Sequence, residues 1–198
     1  MRKLDEVNVF KYVDEVARLY IGRFIRLWNK LKRKKFDDDA AFILYIDKMY
    51  DDLYKMSLES YAYIAKHYGK KSFGEKWVKK NVLDAYDPVT LYVFSNEIER
   101  RKGRHIENVL ASSFPQKEHD KALKSWTSMY SQYADTVADK ANIEKLKETE
   151  DEVVWVTERD NRVCRICKER SGEVYKISAV PPKPHIGCRC WLEKVNGD

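Results

Sequence analysis

The chain has 198 residues, 43% of them hydrophobic, 13% aromatic and 35% charged, with a net charge of +6 and a mean hydropathy of −0.66. This composition excludes a disordered chain, and no run approaches the roughly 18 uncharged apolar residues of a membrane span. Only seven glycines and five prolines are present, and three prolines cluster at Pro181, Pro182 and Pro184, so long helices are expected, with irregular chain near one end.

From Leu4 to about Lys35, Phe10, Val13, Val16/Ala17, Tyr20, Phe24, Leu27/Trp28 and Leu31 recur at helical spacing. The run Asp37-Asp38-Asp39 suits a helix start, and a second helix is expected from near Asp38 to Tyr68, where Gly69 stops it. Its stripe is rich in tyrosine (Tyr45, Tyr50, Tyr54, Tyr61 and Tyr63), read as core residues whose hydroxyls reach an edge. A short helix over 75–85 follows. Asp87-Pro88 has the form of an N-cap and first helical residue, opening a helix to about Ser112, and Pro115 starts another reaching Lys147. The expected fold is mostly α: a helical bundle over 1–150, then a small zinc-stabilised β or irregular module over 151–198.

Past Glu148 the pattern changes. Val153–Thr157, Val174–Ile177 and Trp191-Leu192 read as short strands, with turns at Asp160-Asn161 and Ser171-Gly172. A module under fifty residues seldom holds by its core alone and calls for a metal or a disulfide. Cys164 and Cys167 form a C-x2-C pair, and His185, Cys188 and Cys190 form H-x2-C-x-C seventeen residues further on. Thiolate and imidazole match a borderline-soft cation, and short spacing lets one turn present two donors. The opening Met1-Arg2-Lys3-Leu4-Asp5-Glu6 lacks the apolar core of a secretory signal, so a cytoplasmic setting is expected, where clustered cysteines favour metal over disulfide. Five donors compete for four positions. Cys164, Cys167, His185 and Cys188 are the first choice, with Cys190 replacing His185 or Cys188 as the alternative. A closed four-ligand site is structural, not catalytic.

Trp155-Val-Thr-Glu-Arg-Asp160-Asn-Arg-Val-Cys164-Arg-Ile-Cys167, Gly172-Glu-Val-Tyr175 and Pro181-Pro-Lys-Pro-His185-Ile-Gly-Cys188-Arg-Cys190 together resemble the C-terminal signature of the phage Mu F-type minor head proteins, or phage head morphogenesis proteins. The resemblance is specific over 153–192 and looser over about 88–147. It implies a virion head component that associates with the portal protein and other capsid components, is present in several copies, and assists DNA packaging or delivery. The host cytoplasm would be its place during assembly. Longer family members carry an enzyme or toxin domain after the signature; this chain ends eight residues past Cys190, so no such activity is carried over and no enzyme is expected.

Between Val16 and Phe36 lie eight basic residues and no acidic one. Arg23, Arg26, Lys30 and Arg33 share one helical face, suited to nucleic-acid phosphates or an acidic partner patch, although solvation alone accounts for such a face. Arg100, Arg101, Lys102, Arg104 and His105 form a second basic cluster, read as solvated. His67, His105 and His119 lack partners at ligand spacing and are read as surface or helix-end residues, and Glu97 as solvated. A zinc-stabilised DNA-binding or nuclease-like protein is the alternative function, with Asp160 and Glu173 as loose candidates for a second site.

Overall fold

The structure is a computed structural model that describes residues 10–86, 92–158, 163–185, 188 and 190–195. Four long helices make the body: α1 (Lys11–Arg33), α2 (Asp39–Tyr68), α4 (Phe94–Ala111) and α5 (Pro115–Leu146). Between the second and fourth, α3 (Glu75–Val78) runs into one π-helical turn, Lys79–Leu83. After α5 come β1 (Glu152–Thr157), α6 (Arg165–Arg170), β2 (Val174–Lys176), a 3₁₀ turn Ile177–Ala179 and β3 (Cys190–Lys194). The chain is thus mostly α, with a small three-stranded sheet region near its C-terminal end. Among the described residues no helix is long and apolar enough to cross a membrane.

The expected stripe on α1 is the buried face: Phe10, Val13, Ala17, Tyr20, Phe24, Trp28 and Leu31. Asp38 caps α2, its carboxylate accepting from the Ala41 N–H at 2.7 Å. Gly69 ends α2 for reasons of space: a Cβ there would lie 2.3 Å from the Phe73 ring and 2.9 Å from the Ala65 carbonyl. The tyrosines divide. Tyr50 and Tyr61 are buried, Tyr45 and Tyr54 are half-buried, and Tyr63 points to solvent at 50% exposure because it lies outside the arc that faces α5. Tyr61 stacks on Tyr130 at 5.2 Å and donates to that residue's carbonyl, while the Tyr130 hydroxyl donates to Ser60 Oγ. Ser57, Ser60, Ala62 and Ala65 are all buried on α2, and such small side chains let the helix backbones approach.

Asp87-Pro88 lies outside the described residues, and α4 opens at Phe94, six residues later than its proline suggested. Val93, the N-cap of α4, holds an extended backbone.

In the sheet, β1 is central and antiparallel to both neighbours, in the order β2-β1-β3. The register sets Val153 opposite Tyr175, Trp155 opposite Leu192 and Thr157 opposite Cys190. Val153 and Trp155 face a second small core made with Leu146, Val163, Cys167, Cys188, Cys190 and Leu192. This core borrows Ile143 and Leu146 from α5. The seam is reinforced by Asn142 donating to the Leu192 carbonyl at 2.9 Å, a Lys194–Glu150 ion pair, and Phe10 edge-on to Trp191.

Candidate metal centre

The first two donors sit on a helix that periodicity did not reveal. Cys164 is the N-cap of α6, its sulfur accepting from the Cys167 N–H at 3.4 Å, and Cys167 lies one turn in. Six residues are too few to show a helical repeat. Gly172, at φ 89°, turns the chain out of α6, and its N–H donates to the Trp155 carbonyl, aligning β2 with β1. The second donor pair comes from the other side, with Cys188 just before β3 and Cys190 as its first residue.

Cys164, Cys167 and Cys188 have sulfurs within 4.8 Å of one another, the one such grouping of three or more donors among the described residues. Cys167 and Cys188 are 2.8 Å apart, and Cys188 and Cys190 are 3.2 Å apart. All four cysteines are free, and Cys167, Cys188 and Cys190 are buried. Both separations exceed the roughly 2.05 Å of a disulfide. Four thiols converging from two chain segments in a core this small form a set that can bind a metal. His185 is exposed and hydrogen-bonds Cys164.

The environment separates the thiols. Burial opposes ionisation of Cys164, but the Cys167 N–H and His185 hydrogen bonds outweigh it and lower its pKa. Burial and the hydrogen bonds with Cys188 and Cys164 raise Cys167. The hydrogen bond with Cys190, then burial, raises Cys188. Lys183 reaches the same region and pairs with Asp139 of α5 at 2.9 Å. A cleft of about 510 Å³ between α5 and the sheet region is lined by this largely buried pair together with Trp155, Cys188 and Cys190. Trp155 is buried, with Arg170 over its ring; Trp191 and Tyr175 are half-buried, Trp191 against Phe10.

The other candidates disperse. Arg26, Lys30 and Arg33 are exposed and, among the described residues, without ion-pair partners, whereas Arg23 reaches Glu59 at 3.5 Å and lies over the Tyr20 ring. His67 is exposed and stacked on Tyr12 at 3.8 Å. His105 and His119 are not surface residues: they are 3% and 5% exposed, with His105 Nε2 at 2.9 Å from His119 Nδ1 and Tyr50 Oη at 3.3 Å from His105 Nδ1. Glu97 is likewise buried, gripped by Arg100 at 2.7 Å and Arg101 at 2.6 Å, which takes two residues out of the second basic cluster. Tyr50, His105 and His119 come from three different helices, so spacing along one helix did not expose their contacts, whereas Arg100 and Arg101 stand three and four residues from Glu97 on α4, and only the burial of Glu97 was hidden. Asp160 lies outside the described residues, and Glu173 is exposed and accepts from the Tyr175 hydroxyl.

Compared with known proteins, the chain matches no family model, no curated protein and no solved structure.

Proposed function

We propose that this chain is a phage minor head protein, a structural component that docks on the portal protein and head interior without catalytic turnover. The observation that supports it is the buried thiol cluster, because it falls within 153–192, the segment that resembles the head morphogenesis signature. The ion is zinc: thiolate donors suit it, it has no redox chemistry to manage, and four protein donors leave no position for a substrate or water. In this reading the zinc module is a rigid contact surface fixed before docking, which lowers the ordering cost of association. The exposed Arg26, Lys30 and Arg33 favour a second contact, with packaged DNA. A DNA-processing enzyme would need a further constellation of catalytic groups; Glu173, tied to Tyr175, is a poor start.

The test is the protein content of procapsids and virions, with elemental analysis of the purified protein. The expected result is the chain in both particles, about one zinc per chain, and fewer infectious heads from a null mutant. Absence from both particles together with normal infectivity removes the assembly role.

A further inference from the structure

Five donors surround a centre that needs four, and the positions of the sulfurs discriminate among them. Cys190 lies 3.2 Å from Cys188, a buried member of the Cys164, Cys167, Cys188 triad that is itself 2.8 Å from Cys167. His185 hydrogen-bonds Cys164 and is exposed, while Cys167, Cys188 and Cys190 are buried. The register supports the same choice, since pairing of Cys190 with Thr157 holds its backbone in the sheet. In a tetrahedral zinc site with bonds of roughly 2.3 Å, neighbouring sulfurs stand about 3.8 Å apart. Entry of the ion therefore spreads Cys167 and Cys188 by about 1 Å.

Charge supplies the second argument. Four thiolates on a divalent ion leave two negative charges in a place from which water is largely excluded, and a buried charge requires partners. At one end Lys183 lines the same cleft as Cys188 and Cys190, its ammonium held by Asp139 of α5 at 2.9 Å. At the other end His185 donates to Cys164, beside the Cys167 N–H. Two cation-capable side chains thus bracket a cluster whose formal charge is twice negative.

Building on the metal reading above, we infer that Cys164, Cys167, Cys188 and Cys190 form the whole coordination sphere, with His185 and Lys183 outside it as hydrogen-bond and charge partners of its two ends. Lys183 is then a positioning residue. Its bond to Asp139 connects the metal centre to α5, so loading the ion tightens the seam between the sheet region and the helical body.

Cobalt(II) loading of the purified full-length chain tests this, because the intensity of the thiolate-to-cobalt charge-transfer band counts coordinated thiolates. The expected spectrum has four thiolates in the wild type and is unchanged in His185→Asn. Lys183→Met keeps that spectrum while cobalt affinity falls about tenfold to a hundredfold, the range for loss of an outer-sphere partner, and Lys183→Arg restores it. A three-thiolate spectrum that shifts in His185→Asn overturns the assignment in favour of histidine ligation. Unchanged affinity in Lys183→Met overturns the role of the lysine. No cobalt uptake by the wild type, with all four thiols reacting at once with a thiol reagent, overturns the metal reading itself.

Discussion

Tyr50, His105 and His119 share hydrogens in the middle of the helical body, with the Trp28 ring stacked on His105. One arrangement satisfies the chain: the tyrosine O–H donates to Nδ1 of a neutral His105, whose Nε2–H donates to Nδ1 of a neutral His119. Burial, assisted by the neighbouring His119, lowers the pKa of His105 from 6.5 to about 3. Burial and the nearby Lys32 lower His119, against the opposing pull of Asp120. The unfolded chain therefore takes up protons near pH 6.5 that the folded chain refuses, so stability is full above that pH and declines as pH falls towards 3. Between pH 6.5 and 5, above the usual carboxylate range, denaturant titrations should show stability falling with a limiting slope of about 1.4 kcal/mol per pH unit for each histidine. His105→Gln, which can still donate and accept, should flatten that slope by about one proton. A flat wild-type profile over this interval contradicts the account.

The elements differ in what holds them. The four long helices share a core with Trp28, Phe24, Tyr61, Trp126 and Tyr130 at its centre, whereas three of the eight buried side chains in the second core are thiols. Metal energy in so small a unit is folding energy. Chelation, or Cys167→Ser, should therefore release β1, β2, β3 and α6 while α1, α2, α4 and α5 remain folded. The measurement is circular dichroism: the far-ultraviolet helix signal is nearly kept, and the near-ultraviolet signal of Trp155 is lost. Loss of most helix would show that α5 depends on the sheet region for more than Ile143 and Leu146. At this scale the helices were legible in the sequence, because the stripe from Phe10 to Leu31, the cap at Asp38 and the proline at the first position of α5 are local signals. α6 was not, and neither was the delayed start of α4.

Across the whole molecule, charge is unevenly used. Residues 151–198 carry nine basic and eight acidic side chains, so five of the six net positive charges belong to the helical body. Of the face singled out on α1, Arg23 is engaged with Glu59, leaving Arg26, Lys30 and Arg33 for a polyanion. Replacing those three with Gln should weaken duplex-DNA binding and reduce the slope of log affinity against log salt by about three; adding Arg23→Gln should change little more. Fluorescence anisotropy across a salt series measures both quantities. An unchanged slope returns the face to simple solvation.

The sequence by itself determined the run of amphipathic helices, the change of character past Glu148 and the five residues from which a metal centre can be built. Each depends on the spacing or concentration of residues within a short stretch. Tertiary structure alone decided that Cys190 is buried 3.2 Å from Cys188 while His185 is exposed. It also decided that His105, His119 and Glu97 are buried, and that the two histidines meet. Their environments arise from how α1, α2, α4 and α5 pack, and from a sheet register that brings the two ends of the C-terminal segment together. A side chain's burial depends on what lies across from it, and helical or strand periodicity specifies a face without naming its neighbour.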